Sequence, residues 1–503
     1  MDCEVVVVGG GIGGLTVAAL LAQRGVNTCL LEKEPRVGGC AASFEKFGYS
    51  FEQGNGLYTG WQAKEIHERV FSELPVDAPQ VRMLAPSYAV RLPDQSEIVL
   101  ASNAEQFEES LRRNFPECAE RAVAFYRKTA ALGSALRRAL QRTPDLLSAS
   151  KPRRAYALLQ EGRIAAEILK AGRQSTLHQL AETSTRFRRF IDVQLQLLAQ
   201  ATSAEVGYLR AALALSAATE GMFAIRGGAN ALGSTLAEAI RQSGGKIRLD
   251  TPVLKLFYDS GGAARGVDLL SGETVTASRA IVSNLTLWDT YGKLVGLNRT
   301  PTAIRKQLSS LRSWGAYLLY LGIDEDAAAS LVSDHVLALT DWQLEQQYDP
   351  ETSQFLFATA PSWDPRGPLG KRAVTVHAFT DVDQWFTFHK DESEHEERDQ
   401  QMLELSWNRL HSAMPELGSS IEVIDTATPR TFYDLTRRKL GMVGGATPEG
   451  FWQNGPAYAT ALPNLFIVSD TTYPGGIEGL TRSALLVADN LTKQYKPFKV
   501  KKL

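Results

Sequence analysis

Gly9, Gly11 and Gly14 stand in the spacing GxGxxG, and an acid, Glu32, follows eighteen positions after the last of them. Residue types in that order make a site for a dinucleotide. Gly9 permits a tight turn, Gly11 lets the backbone approach a pyrophosphate, and Gly14 lets a helix pack closely on a sheet. Ile12 and Gly13 open that helix, whose free N–H groups and positive dipole end face the phosphates. Glu32, with Lys33 beside it, belongs to the ribose end. Its carboxylate accepts hydrogen bonds from both ribose hydroxyls and disfavours a 2′-phosphate.

Such a site needs two parallel strands with a helix between them. The run Val5 to Val8 reads as a buried strand, an apolar helix pattern ends at Arg24-Gly25, and Thr28 to Leu31 reads as the second strand. A glycine turn alone is common; strand, helix, strand and acid in sequence make a βαβ unit. Immediately afterwards the chain reads EKEPRVGGCAASF. This segment resembles the Arg-x-Gly-Gly turn of two-dinucleotide flavoproteins, which implies a further pyrophosphate contact from Arg36, Gly38 and Gly39. Near the other end, Asn464 to Val468 reads as a short strand, followed by Ser469-Asp470 and by Gly475 to Gly479, which open a helix running to Leu491. The same resemblance implies that Asp470 binds the ribityl chain of FAD. It also implies that Gly476, Ile477 and Glu478 bring a helix N-terminus to the O2/N1 edge of the flavin, where the dipole stabilises its anionic reduced form.

Three further stretches carry a closer resemblance: FAIRGGANALGSTLAEAIRQSGGKIRLDTPVLKL, AIVSNLTLWDTYGKLVG and TPRTFYDLTRRKLGMVGG. With the two ends, they make the chain similar to the phytoene desaturase, carotenoid isomerase and retinol saturase group of the amine-oxidase-like flavoproteins. The resemblance implies that Val253 brings backbone to the adenine. It implies an α/β fold: a discontinuous Rossmann-type FAD-binding domain joined to an α+β substrate domain, with a mixed or antiparallel sheet and a helical subdomain. The expected divisions are FAD-binding segments at 1–75, 220–297 and 426–497, a hairpin at 76–103, helices at 104–219 and a substrate sheet at 298–425. One departure stands out. Where bacterial desaturases commonly read Ile-Pro-Gly at the flavin-facing helix, this chain has Ile477-Glu478-Gly479, closer to the Glu-Gly of amine oxidases.

Pattern alone adds the elements of the substrate domain. Met83 to Leu92 and Ile98 to Leu100 read as a hairpin about Pro93 to Ser96. Residues from about Ala104 to Thr219 read as helices. Ala316 to Leu321, His335 to Leu339, Gln354 to Ala358 and Ala373 to Phe379 read as strands, with a helix near Glu396 to Ala413. With the hairpin these give a sheet of about six strands.

Composition is that of a globular protein: 503 residues, 44% hydrophobic and 22% charged, with a net charge of −2. The cysteines Cys3, Cys29, Cys40 and Cys118 lack CxxC spacing, and the acidic run around His395 lacks HExxH, so no metal site is expected. No P-loop or nucleophile elbow is present, and no nucleic-acid partner is expected. Val5 to Val8 leads into the glycine loop rather than a cleavage site, and the longest apolar stretch, Ala211 to Ile225, is short and contains Glu220. A cytoplasmic protein is expected. Between Arg112 and Arg173 fourteen Lys/Arg face five Asp/Glu, a local balance of +9 on helical pattern. Region 112–173 fits a peripheral anchor on anionic lipid and equally a solvated helical face. The oligomeric state is left open.

The resemblance implies an oxidoreductase that desaturates, isomerises or saturates a hydrophobic polyene or isoprenoid, with hydride moving to or from flavin N5. Carbons of a hydrocarbon are too weakly acidic for a side chain to deprotonate unaided, so the cofactor carries the reaction. Glu478 is the candidate catalytic residue because it lies nearest the flavin, and Arg482, one turn on, can pair with it. Tyr58 and Tyr473 are further candidates for the site wall. Two other readings stay open: an amine oxidase acting on a small polar substrate, and a non-catalytic lipid-binding protein of the same fold.

Overall fold

Strand Asp2–Val8 is central to a seven-stranded sheet because both of its faces are covered, which is why it reads as an unbroken apolar run. The computed structural model describes residues 2–100, 103–311, 313–386, 392–444, 452, 458–473 and 475–493. On one side the central strand pairs in parallel with Thr28–Leu31, which pairs with Lys246–Arg248. On the other it pairs in parallel with Thr274–Ser283. That ten-residue strand divides its far edge: its first half pairs antiparallel with Ala264–Leu269, its last residues parallel with Leu465–Ile467. Val5 and Val7 face helices Ile12–Gln23, Gly228–Gln242 and Gly476–Lys493, while Val6 and Val8 face a second core containing Trp288 and Tyr291. First, middle and last segments of the chain thus share one sheet.

The second sheet holds seven strands rather than about six. Its order is Ile421–Ala427, Gly315–Asp324, Lys371–Thr380, Gln354–Thr359, His335–Leu339, Tyr88–Arg91, Glu97–Leu100. The pairing of Tyr88–Arg91 with His335–Leu339 is parallel and the others are antiparallel, so the sheet is mixed. The additional strand is Ile421–Ala427, whose Glu and Asp residues dilute its apolar pattern. The hairpin lies where expected, but its first arm is shorter. Val81–Met83 leaves it to pair with Phe223–Ile225, separated from Tyr88 by Pro86, which has no N–H to give a ladder. A small hairpin, Ser43–Lys46 with Tyr49–Glu52, was not expected. Helix Glu392–Ala413 covers one face of the sheet through Met402 and Leu410.

Between residues 104 and 220 the chain forms helices, among them Ala104–Asn114, Ala119–Arg142, Thr185–Ala199 and Tyr208–Glu220. Asn103 and Ser184 accept from Gln106 N and Phe187 N and so start two of them. Helices Ala119–Arg142 and Tyr208–Glu220 run alongside in the same direction: Thr129 meets Tyr208, Arg137 meets the Leu213 carbonyl at 3.1 Å, and Ser134 bonds Glu220. No helix among the described residues is long and apolar enough to cross a membrane.

One buried amide ties the helices to the second sheet. Gln194 Oε1 accepts from Tyr88 OH at 3.0 Å and from Tyr126 OH at 3.1 Å, and its Nε2 donates to the Phe190 carbonyl at 2.6 Å. Gln194→Leu strands both hydroxyls without their acceptor, a penalty of about 1–3 kcal/mol for each group left unsatisfied. The expected result is a lower urea midpoint with an unchanged m-value; an unchanged midpoint would refute this account of the joint.

Candidate active site

The glycine loop is shaped by what surrounds it. Gly9 has φ +101°, a conformation that L side chains rarely adopt. Gly11 begins helix Ile12–Gln23 with no side-chain cap, so the N–H groups of the first turn remain for a ligand. A Cβ on Gly14 would overlap the Gly9 carbonyl oxygen. That is the close helix-to-strand approach its type predicts. A Cβ on Gly11 would instead lie 2.7 Å from Asn284 Oδ1, and one on Gly13 would lie 2.8 Å from both Asn284 Nδ2 and Val468. Asn284, which sequence reasoning recorded only as part of the Ser-Asn segment, therefore fills the space that these glycines leave. Its N–H donates to the Val8 carbonyl at 2.8 Å and its Nδ2 to the Val468 carbonyl at 2.7 Å.

Glu32 ends the second strand, 8% exposed. Its Oε2 accepts from Gly10 N at 2.6 Å and its Oε1 from Glu34 N at 2.9 Å, which fixes the carboxylate and leaves each oxygen a lone pair for a ribose hydroxyl. Thr251 N donates to the Glu32 carbonyl, and through it Pro252 and Val253 come to the rim of the same cavity. Lys33 borders the cavity, but its ammonium is engaged by Glu34 and by the Leu435 carbonyl. Gly38 and Gly39, at φ +116° and +58°, form a turn that docks on the loop, Gly38 N donating to the Gly10 carbonyl at 2.8 Å. Arg36 stands beside them and donates to the Ser43 carbonyl at 3.3 Å.

Asp470 follows strand Leu465–Ile467 and borders the cavity. Its Oδ2 accepts from Arg438 Nη2 at 3.0 Å and its Oδ1 from Ser469 Oγ at 3.2 Å. Arg438 was not singled out from the sequence, although it lies in the TPRTFYDLTRRKLGMVGG segment. It also holds the carbonyls of Met442 and Gly444, so Asp470 is fixed by a buried cation anchored in its own turn. Burial opposes that cation's charge, but Asp470 and its other neighbours outweigh the burial and raise its pKa.

Gly9, Gly11, Ile12, Glu32, Lys33, Arg36, Gly38, Gly39, Val253, Asn284, Arg438 and Asp470 line one cavity of about 1110 Å³, more than the roughly 300–1,000 Å³ of an ordinary small-molecule site, while Gly13 and Gly14 pack behind the loop against Asn284, Val468 and the Gly9 carbonyl. At one end are the glycine loop and Glu32. Gly476, Ile477 and Glu478, at the start of helix Gly476–Lys493, form another part of the wall. Beyond them the wall is apolar: Leu197, Leu213, Ala217 and Met222 from the helices and their edge, Leu337 and Leu356 from the second sheet. Tyr58 and Tyr473 both border it; Tyr473 OH donates to the Pro144 carbonyl at 3.3 Å. Cys40 borders it as well, while Cys3, Cys29 and Cys118 are buried in the cores. Among the described residues no cluster of His, Cys, Asp and Glu is arranged to hold a metal ion.

Glu478 is pinned. Thr59 Oγ1 donates to it at 2.6 Å, Arg482 Nη2 at 2.9 Å, and Arg137 Nη1 stands 3.5 Å away. Burial alone would raise its pKa, but Arg137 and Arg482 outweigh the burial and hold it down at about 2. A carboxylate that acidic has little affinity for a proton at neutral pH. Held this way, Glu478 ties the first turn of helix Gly476–Lys493 to helix Ala119–Arg142. The expected pairing with Arg482 is present; Arg137, from another helix, gave no local signal. The cavity's histidine, His377, is pushed down to about 4 by burial.

The open helix end, the carboxylate at Glu32 and the two dockings on the glycine loop fit FAD, and the fold is that of FAD-dependent oxidoreductases of the amine oxidase type. The family model of flavin-containing amine oxidoreductases matches residues 12–492, and the chain belongs to that family. Its sequence relatives include the chloroplastic prolycopene isomerase of Daucus carota, 24% identical over 97% of this chain and 79% of the relative. They include the all-trans-retinol 13,14-reductase of Danio rerio, 24% identical over 88% and 78%, and the zeta-carotene-forming phytoene desaturase of Myxococcus xanthus, 26% identical over 97% and 93%. Among solved structures, an oxidoreductase from Methanosarcina mazei superposes with TM-score 0.64 at 17% identity, covering 97% of this chain and all of that one. The cyclohexylamine oxidase of Brevibacterium oxydans superposes with TM-score 0.59 at 16% identity, covering 98% and 99%. FAD is the cofactor.

Two outcomes follow from this geometry. Gly14→Ala should cost more bound flavin than Gly11→Ala, because the new methyl meets a backbone carbonyl at 14 and a side-chain amide able to swing at 11; equal flavin content in the two purified variants would contradict the packing described. For Glu478, a folded pKa of about 2 lies below the unfolded value of about 4.3, so the carboxylate stabilises the fold above that value and loses its contribution as pH falls through about 2. Glu478→Gln takes from buried Arg482 its acid and leaves Arg137 with Glu220 alone, at a cost of about 3–5 kcal/mol. Urea melts of wild type between pH 6 and 3 should show a steeper acid loss than those of the variant, and parallel curves would remove Glu478 from the account.

Proposed function

We propose that this chain is an FAD-dependent oxidoreductase acting on a hydrophobic polyene or isoprenoid, by carotenoid-type desaturation, isomerisation or saturation. The observation that carries this reading is the apolar wall between the helices and the second sheet, continuous with the cofactor cradle. The relatives named for prolycopene, retinol and phytoene support it. FAD held in the cradle would supply the hydride-transfer chemistry. The cradle residues Gly9, Gly11, Ile12, Gly13, Gly14 and Glu32 bind the nucleotide end. Arg36, Gly38, Gly39 and Asp470 continue along the cavity, and Val253 borders the adenine end. Leu197, Leu213, Leu337 and Leu356 keep water from the reacting bond and align the chain along the cavity. Glu478, held by Arg137, keeps the start of the flavin-facing helix in place.

Access from a bilayer belongs to the same reading, since a long hydrocarbon is nearly insoluble in water. Helices Lys151–Leu159 and Ile164–Ala171 expose Tyr156 and Leu159, each 69%, and Leu169, 42%, beside Lys151, Arg163 and Lys170. The basic stretch is less free than its sequence suggests: Arg138 and Arg142 pair with Glu161, and Arg153 with Asp145. The docking face we propose is therefore this pair of helices rather than the whole of 112–173.

A second reading, oxidation of a small amine, is favoured by Ile477-Glu478-Gly479 and by the family itself. Anaerobic flavin absorbance separates the two. Phytoene or another unsaturated isoprenoid in anionic liposomes should bleach the oxidised flavin or reoxidise the reduced one, less so from neutral liposomes, while simple amines should do neither. Bleaching by amines alone would overturn the polyene reading.

A further inference from the structure

The part of the cavity wall that the second sheet supplies carries one polar spot. On strand Lys371–Thr380, Thr375, His377 and Phe379 alternate with Val374, Val376 and Ala378, and the latter three belong to the core under helix Glu392–Ala413. His377 therefore faces the cavity side, directly across from Leu356 on one neighbouring strand and from Leu318 on the other, and Leu356 in turn pairs with Leu337. It is set into the apolar wall that Leu337 and Leu356 make. Residues 53–55 lie over the same face. Thr375 Oγ1 donates to the Glu52 carbonyl at 2.9 Å, and Gln53 stands beside Tyr320, the residue across from Thr375. Gln53, 8% exposed, and Asn55 both border the cavity.

These side chains keep polar atoms for a ligand. His377 Nε2 is sealed off without a partner; Nδ1 has no partner among the described residues either, but it keeps accessible surface. In mid-sheet, with a helix-covered core behind it, that surface is cavity surface. Asn55 Oδ1 accepts from Leu57 N at 3.1 Å, and no described residue takes up its Nδ2. The Gln53 amide is engaged by no main-chain or charged group among the described residues. Other polar groups of the wall are taken: Thr59 by Glu478, Gln354 Oε1 by Tyr348, and Tyr473 by the Pro144 carbonyl.

The chemistry on offer is uncharged. Burial lowers the pKa of His377 to about 4, so its ring is neutral at neutral pH and carries one N–H. A sealed N–H without an acceptor is less tolerable than a sealed acceptor without a donor, which puts that proton on Nδ1, toward the cavity. Arg366, beside His335 and Thr375, is already held by Glu52 at 3.0 Å and by Asp364 at 3.3 Å. Neutral donors with no free charge suit an uncharged oxygen; a carboxylate or an ammonium would lack its counter-ion.

We propose that His377, with Gln53 and Asn55 beside it, holds a hydroxyl or carbonyl oxygen carried on the substrate's hydrocarbon chain. This rests on the polyene reading above and narrows it from hydrocarbons in general to oxygenated isoprenoids. His377 is thus a specificity-determining residue in an otherwise apolar wall.

The test titrates the FAD-loaded protein with all-trans-geranylgeraniol, all-trans-geranylgeranial and the oxygen-free hydrocarbon of the same chain, reading the perturbation of flavin absorbance. Wild type should bind the alcohol, the aldehyde or both about tenfold more tightly than the hydrocarbon, the worth of one buried hydrogen bond. Preference for the alcohol alone identifies a hydroxyl, and for the aldehyde alone a carbonyl. His377→Leu should erase the preference while the hydrocarbon binds as before, and His377→Asn, which returns a donor near the place of Nδ1, should keep part of it. Flavin content and melting temperature of each variant report damage to the sheet; if His377→Leu loses its flavin, Gln53→Leu carries the comparison and should narrow the preference. Equal binding of all three probes by wild type, a preference that survives His377→Leu, or one undiminished in Gln53→Leu where that variant decides, overturns the proposal. If the hydrocarbon still binds in that case, only the oxygen site falls; if no probe perturbs the flavin, the polyene reading falls with it.

Discussion

Asn284 holds three distant parts of the chain at one point. Its backbone bonds the first strand, its side-chain amide bonds Val468 just past the strand near the C-terminus, and its Cβ, Oδ1 and Nδ2 occupy the space beside Gly9, Gly11, Gly13 and Gly14. Glycines at these positions are a condition for that contact as much as for a ligand. Because the three segments are joined by parallel pairings in one sheet, the cofactor cradle cannot form until the chain has been threaded nearly to its end. The helices of residues 104–220 and most of the second sheet are inserted between these segments, and Asn284 adds a side-chain tie to the strand ladders that close the core.

The insertions are tied back by polar contacts of unusual reach. Arg137 and Glu478 are separated by most of the chain, as are Asn284 and Gly9, yet both pairs meet at the cavity. Fixing a residue from the helical region against the first turn of helix Gly476–Lys493 makes the apolar wall and the cradle parts of one enclosure. Leu213, whose carbonyl accepts from Arg137, is itself a wall residue. A shift of the helices therefore moves the wall and the helix start together.

Much of the framework was legible locally. The buried run Val5 to Val8, the glycine spacing and Glu32 define a βαβ unit with little help from elsewhere, and His335–Leu339 falls on the expected residues. Strand Ile421–Ala427 was not legible because Glu422 and Asp425 break its pattern, and Met83 was placed in the hairpin because the partner of strand Val81–Met83, Phe223–Ile225, lies far along the chain. The site followed the same division. Residues whose task is set by backbone shape, such as Gly9 and Gly38, announced themselves by type. Those whose task is set by a remote partner did not: Arg137 sits in a helix rich in arginines, and Arg438 in a turn with two neighbouring basic residues. Glu478 was found for its position, but its state depends on Arg137, which no local pattern could supply.

The shared direction of helices Ala119–Arg142 and Tyr208–Glu220 has an electrostatic meaning. Both run toward the place where helix Gly476–Lys493 begins, so two negative backbone termini approach one positive terminus. Between them lie two guanidiniums, Arg137 and Arg482, and two carboxylates, Glu220 and Glu478, while burial and the nearby Glu478 raise the pKa of Glu65, a third acid there. The two guanidiniums and their two paired carboxylates balance. The junction binds the helices together without cancelling the potential of the helix that starts there, and that potential remains directed into the cavity.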